Sequence, residues 1–418
     1  MSKLKVENFG PITSGYGEDE GFLDFRKVTV FIGDQGSGKS SVAKLFSTMS
    51  WLEKALFQGQ LTEAYLQKYN RFVKKYCGYF NLVNYFRADT RIAYRGRAYD
   101  LTYANGKLTV QEAAAGGGYQ LPKIMYVPAE RNFLSVVDEP DRLKGLPSSL
   151  LEFWEEVRLA QRALAAGWQL PLGQVQFEYD KSNRISWLSG RTAGSVPFRL
   201  RLSEASSGFQ SIVPLLLVSR HLAQAINQEQ PAARSELSAA ERRRLREQIA
   251  KIQQAKLPAA VEQEALKALG TRIQRETFLN VVEEPEQNLF PTSQRAVLYE
   301  LLTYANATPG NALVLTTHSP YVPNYLTLAI KAHEVQGKIA DSALAQKLYA
   351  KLNDLVPANA AVAAADVVVY ELAADGRITR LPMEDGLPSD ANDLNEALSD
   401  TNARFSDILR IEQYAQRG

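Results

Sequence analysis

The 418 residues predict a mixed α/β protein: a head built on a buried sheet, a β-rich lobe, a short helical-hairpin insertion and a small α+β C-terminal extension. Three observations lead there. The apolar run Val28, Val30 and Ile32 feeds a glycine-rich turn and then a helical pattern through Val42, Leu45 and Phe46, which reads as strand, loop, helix. Two later apolar strands, Phe278–Val282 and Ala312–Thr316, run directly into polar residues. Blocks of alternating apolar residues between 92 and 110 and between 175 and 202 read as antiparallel strands.

In chain order, residues 1–50 hold strands at Leu4 and Val6 and at Phe22–Phe25, then the glycine-rich loop. Residues 51–120 form an arm. Its residues Tyr65, Tyr69, Phe72, Tyr76, Tyr79, Val83 and Phe86 step alternately by four and three, a heptad seam that predicts long helix over 51–86. Short strands follow, turning at Asn105-Gly106, and a flexible Ala113–Gly118 tract ends the arm. Residues 121–231 open on a core strand, Lys123–Val127, continue through strands around Val175–Tyr179, Ile185–Trp187 and Val196–Leu202, and reach Ser203–Gln210. Residues 232–276 turn to Ala, Glu, Arg, Lys and Gln. Leu245, Ile249 and Ile252 recur there at helical spacing, Pro258 interrupts, and Val261, Ala265 and Leu269 resume, which reads as a helical hairpin. Residues 277–330 carry the two late apolar strands. Residues 331–418 add a helix, a hairpin of Val367–Tyr370 with Arg377–Leu381, and a closing helix.

Composition excludes several classes. With 45% hydrophobic and 22% charged residues the chain is an ordinary globular one, neither disordered nor fibrous. The charge of +2 names no partner. One cysteine, Cys77, forms no internal disulfide, and three scattered histidines build no Cys/His metal cluster. Met1–Gly10 lacks the basic-then-apolar pattern of a secretory leader. The longest apolar stretch, Ile212–Val218, contains a proline and is too short to span a bilayer. A cytoplasmic protein without membrane contact is expected.

Gly33-Asp34-Gln35-Gly36-Ser37-Gly38-Lys39-Ser40-Ser41 fits the phosphate-loop pattern G-x-x-x-x-G-K-[ST]. Glycines let backbone N–H groups curl around phosphates, and the following helix offers its N-terminal dipole to the same anion. Lys39 reaches the β- and γ-phosphates, and the Ser40 hydroxyl ligates Mg²⁺. A glycine-rich turn without a ligand is the competing reading, and the complete motif between strand and helix argues against it.

Phe278–Val282 ends in Glu283-Glu284-Pro285-Glu286. The first carboxylate is placed to hold Mg²⁺, and the second to orient and polarise the water that attacks the γ-phosphate. Ala312–Thr316 ends in Thr317-His318-Ser319-Pro320. A histidine at the carboxyl end of such a strand stands where ligands bind in an open α/β sheet, as a γ-phosphate sensor. His221 and His333 fall on helices without partner motifs.

The order phosphate loop, Ser206-Ser207-Gly208-Phe209-Gln210, Glu283-Glu284-Pro285-Glu286-Gln287-Asn288-Leu289-Phe290-Pro291, Thr316-Thr317-His318-Ser319-Pro320 resembles the ABC-type P-loop ATPases of the SMC, RecF and OLD group, over residues 1–330. The resemblance implies ATP and Mg²⁺ as cofactors. It makes Lys39 and Ser40 phosphate and metal ligands, Glu283 the metal-side carboxylate, Glu284 the catalytic one and His318 the switch. Ser207, Gly208 and Gln210 would cap the γ-phosphate held by a second copy, so that ATP joins a homodimer or higher homo-oligomer. Glu283 departs from the family's usual Asp by one methylene. Val127-Pro128-Ala129-Glu130-Arg131 resembles a segment common in OLD-like ATPases, and no residue is identified as the family's Q-loop. The 232–276 insert resembles a stub of the long coiled-coil arm of SMC proteins.

OLD proteins carry a C-terminal Toprim nuclease. Here Val367–Tyr370 is followed by Glu371 without the glycine, and no Asp-x-Asp lies downstream, so none is expected. Asp390, Asp393 and Glu396 read as a solvated face or helix start. An ATPase without its own nuclease resembles subunits of PARIS- and Septu-type antiphage systems, which implies a separately encoded effector, a nuclease or toxin. Segment 68–107 holds nine basic residues against Asp89 and Asp100. With its tyrosines it is a candidate contact for nucleic acid or a phage factor, while the aromatic seam itself reads as core packing. A RecF-type DNA-repair ATPase is the alternative of a different class.

Overall fold

The computed structural model describes residues 2–114, 118–137, 140–191, 196–227, 276–340 and 342–417, with scattered positions between 247 and 261. Its strands are β1 (Lys3–Phe9), β2 (Gly15–Tyr16), β3 (Leu23–Asp24), β4 (Val28–Gly33), β5 (Phe86–Arg95), β6 (Tyr99–Ala104), β7 (Lys107–Glu112), β8 (Pro122–Val127), β9 (Trp168–Gln169), β10 (Val175–Asp180), β11 (Ile185–Arg191), β12 (Pro197–Arg201), β13 (Thr277–Glu283), β14 (Ala312–Thr316), β15 (Val367–Leu372) and β16 (Arg377–Arg380). The helices that matter here are α1 (Lys39–Phe57), α2 (Glu63–Gln67), α3 (Phe133–Val136), α4 (Ser148–Ala163), α5 (Ser207–Asn227), α6 (Pro291–Asn306), α7 (Tyr321–Ile339), α8 (Ala345–Leu355) and α9 (Asp393–Arg417).

Seven strands form the central sheet in the order β2-β16-β15-β4-β14-β13-β8. The five from β15 to β8 run parallel, and β4 and β13 are buried at every residue, as strands covered on both faces must be. Alternate residues face opposite ways. Val28, Val30 and Ile32 pack with Leu215, Leu216, Leu298, Leu302 and Leu326 of α5, α6 and α7. Phe31 packs on the other side with Val42, Leu45, Phe46 and Met49 of α1 and with the antiparallel sheet β3-β1-β5-β6-β7. A third sheet, β12-β11-β10-β9, closes over α5 through Phe177, Leu188, Val213 and Leu217. Over Ile212–Val218 helix α5 is apolar and buried on every side, packed in two of the core clusters at once.

The Asn105-Gly106 turn joins β6 to β7, with φ of +50° and +75° at the two residues, the left-handed pair that a two-residue hairpin requires.

Two expectations are corrected. The heptad seam does not form one long helix: α1 stops at Phe57, and 63–85 is a chain of short helical turns. Tyr69, Asn70 and Asn81 sit at φ of +58°, +52° and +58°, a left-handed conformation that interrupts any continuous helix. The seam's buried Phe72 and partly buried Phe86 pack against Tyr103, with ring centroids 5.3 and 5.1 Å from it. The C-terminal part, 331–418, is also no appended extension. β15 lies beside β4, from Val367 opposite Val28 to Leu372 opposite Gly33, so the core sheet is complete only with it. The helical hairpin expected over 232–276 lies outside the described residues apart from those scattered positions and 276. Among the described residues no helix is long and apolar enough to cross a membrane.

Candidate functional site

The carboxyl ends of β4, β14, β13 and β8 open on one edge of the sheet, so the loops at 33–38, 284–290, 317–320 and 128–132 meet there, where ligands bind in parallel α/β sheets. In the first loop Asp34, Gln35 and Gly36 form the exposed rim, Ser37, Gly38 and Ser41 are buried, and Ser40 is half-buried. Gly33 has φ +133°, and a Cβ there would collide with the Leu372 carbonyl of β15. Gly38 enters α1 at φ +104°, and a Cβ would meet Ile12 and Pro11 at 3.0 and 3.1 Å.

Lys39, 4% exposed, curls back over the loop. Its Nζ donates to the carbonyls of Gly33 (2.7 Å) and Asp34 (2.6 Å) and lies 3.4 Å from Ser37 Oγ. Burial lowers its pKa to about 8, against the pull of Glu284, Asp34 and Glu286. The same ammonium is 3.3 Å from His318 Nδ1, while His318 Nε2 is 3.4 Å from Glu284 Oε1. An ammonium only donates, so this row assigns the imidazole a lone pair on Nδ1 facing Lys39 and a proton on Nε2 facing Glu284. The structure therefore joins Lys39, His318 and Glu284, from three loops, into one line.

Glu284 follows β13 at φ +44°, an unusual backbone for a glutamate, held by its N–H donating to the Thr316 carbonyl (2.9 Å). The hydrogen bond from His318 lowers its carboxyl pKa, outweighing partial burial, with Arg131 and Lys39 assisting. Glu283 is 3% exposed. Its Oε2 accepts from the Ala129 N–H (3.2 Å), and its Oε1 is 3.3 Å from Lys44 Nζ on α1. Thr316 Oγ1 is a buried oxygen without a hydrogen-bond partner, and Thr316 is directly paired with Glu283 in the β13–β14 register. Hard oxygen donors of this kind suit a hydrated divalent cation such as Mg²⁺.

Ser207, Gly208 and Gln210 sit at the opening of α5. Ser207 is exposed. A Cβ on Gly208 would come 2.9 Å from the Asn288 carbonyl, and Gln210 Nε2 donates to the Ser203 carbonyl (3.0 Å).

Two residues stand in the motifs read from sequence without a role of their own. Glu286 Oε1 accepts the His318 backbone N–H (2.8 Å) and so sets the switch loop; burial raises its pKa. Arg131 is fully buried and donates to the backbone carbonyls of both Glu283 and Glu284. Neither role leaves a local sequence signal, because the partners are main-chain atoms far away in sequence. Glu371 accepts the Asp393 N–H (2.8 Å) and so caps α9. In the basic segment, Arg71 stacks over Tyr65 at 4.0 Å, and Tyr69 is 73% exposed beside Lys68.

No protein-family model matches the chain, and no curated protein does. Among solved structures, it is similar to an SMC head domain from Thermotoga maritima, at 10% identity and a TM-score of 0.36, over 91% of this chain and 98% of that one. It is also similar to an SmcHead bound to the C-winged helix domain of ScpA, at 11% identity and a TM-score of 0.36, over 91% and 97% of the two chains. At these scores neither likeness carries an argument.

Proposed function

We propose that this chain binds and hydrolyses ATP as an ABC-type head of the SMC/Rad50 kind. The observation that carries the proposal is the Lys39–His318–Glu284 line at the mouth of a complete phosphate loop. The loop's N–H groups and Lys39 bind the β- and γ-phosphates. Glu284 orients the attacking water and takes its proton at the carboxylate, while His318, between base and lysine, reads whether the γ-phosphate is present. Ser40 and Glu283 would hold Mg²⁺, which neutralises phosphate charge when bound. Lys44 Nζ lies 3.3 Å from Glu283 Oε1.

In this proposal two copies associate, and Ser207, Gly208 and Gln210 of each cap the nucleotide of the other. The ordered motifs support a sensor or scaffold subunit of a prokaryotic antiphage complex that controls a separately encoded nuclease or toxin. The exposed Tyr69, Lys68 and Arg71 face favours, as a second reading, a nucleic-acid-contacting ATPase of the RecF/Rad50 kind.

The test is ATP turnover and ATP-dependent association of the wild type, Lys39→Ala and Glu284→Gln. Loss of nucleotide binding in the first variant, with bound but uncleaved ATP in the second, is expected. Equal rates in all three overturn the assignment. Affinity purification of Glu284→Gln from its native host then separates the two biological readings. A small effector protein supports defence, and DNA with repair proteins supports the alternative.

A further inference from the structure

Arg131 closes the Val127–Arg131 segment, which carries no role in the sequence reading, yet it is the largest fully buried side chain among the described residues, and its hydrogen bonds end on backbone carbonyls. Nη1 donates to Pro128 (3.2 Å) and Glu283 (2.7 Å), Nη2 to Glu284 (2.6 Å) and Nε to Ser211 (3.2 Å). Glu283 and Glu284 are the carboxylate pair, and Ser211 lies in the first turns of α5, directly after Ser207–Gln210. A rigid planar fork thus spans the two halves of the site, and one edge cannot shift without dragging the other.

A second link runs in parallel. Ser135 Oγ donates to the Gln210 carbonyl at 2.7 Å. In an unbroken helix that carbonyl would accept the N–H four residues on, but that residue is Pro214, which has none. The proline frees the acceptor that Ser135 takes. Segment 128–135 therefore holds the carboxylate turn at one end and α5 at the other. It also over-determines the left-handed backbone of Glu284, the condition under which such strain persists.

We propose that Arg131, with Ser135 and Pro214, is a positioning clamp that ties the Glu283–Glu284 turn to the opening of α5. Hydrolysis beside Glu284 is thereby linked to the Ser207–Gln210 surface the same chain presents to its partner copy. The proposal rests on the ATPase reading and concerns the regulation of that site.

Three variants test it: Arg131→Lys, Arg131→Gln and Pro214→Ala. The last returns an N–H to the Gln210 carbonyl in competition with Ser135, and it favours the helix, so folding is retained. Each is assayed for binding of a non-hydrolysable ATP analogue, for steady-state turnover, and, with Glu284→Gln added, for ATP-driven association by light scattering. Analogue affinity and KM are expected to stay near wild type, while kcat falls about tenfold or more and association weakens in the same rank order. An active wild type with equally active and equally associating Arg131→Lys and Pro214→Ala variants overturns the clamp alone. A folded wild type that neither binds nor cleaves ATP overturns the ATPase reading, and the clamp with it.

Discussion

Raising the pH across the ionisation of Lys39 tests the phosphate loop at its charged centre. Burial lowers the Lys39 pKa to about 8, the carboxylates of Glu284, Asp34 and Glu286 offsetting only part of that cost. A bound triphosphate adds opposite charge within contact distance and holds the ammonium protonated. Binding therefore favours the protonated lysine, so affinity is full below the free-protein pKa and falls as pH rises through it. Two pH units span most of that ionisation. From pH 7 to pH 9 the dissociation constant should weaken about tenfold, or about 1.4 kcal/mol. Completing the terminal phosphate's own ionisation would by itself strengthen binding as pH rises, the opposite sign to the Lys39 effect. Calorimetric titration with a non-hydrolysable ATP analogue, in buffers of different ionisation enthalpy, reads both the affinity and the proton taken up. Lys39→Arg, whose guanidinium does not titrate, should bind with a flat profile. A wild-type dissociation constant that stays level from about pH 7 to pH 9 would refute the placement of Lys39 against the phosphates.

Glu284→Gln should retain nucleotide and lose about 10²–10⁴ in turnover, the range general-base catalysis contributes; unchanged single-turnover cleavage would contradict the role given to Glu284. Gly33→Ala should destabilise the fold by about 3 kcal/mol or more, because the added Cβ meets the backbone of β15; a wild-type urea midpoint would remove β15 from its place beside the loop. Glu53 on α1 is 2% exposed and accepts from the N–H groups of Arg97 and Ala98 (2.6 and 2.7 Å) and from Tyr94 Oη (2.6 Å). Glu53→Ala should cost about 3 kcal/mol in chemical denaturation, and Glu53→Gln clearly less.

What the sequence revealed was what is written in contiguous residues. The phosphate loop, the Glu283-Glu284 pair and His318 each follow an apolar strand directly, and the parallel sheet delivers those strand ends to one edge. The Asn105-Gly106 turn was legible because two adjacent residues specify it. Arg131 and Glu286 act on main-chain groups of other loops, a relation no local pattern encodes. The heptad seam misled because aromatic spacing says nothing about the left-handed residues Tyr69, Asn70 and Asn81 that break the helix. The all-apolar Val367–Val369 run carried the mark of a central strand, but its neighbour β4 lies near the other end of the chain.

That neighbour has a consequence for synthesis. The Asp24 N–H, just before β4, donates to Tyr370 Oη of β15, a hydrogen bond spanning 346 positions. During translation the phosphate loop emerges long before the strand that backs Gly33. A nascent chain would expose one edge of β4 until then, an unpaired edge of the kind that invites misassembly. Nucleotide affinity would thus be gained only once β15 has emerged, and ribosome-bound fragments that end before Val367 would be the species most in need of a chaperone.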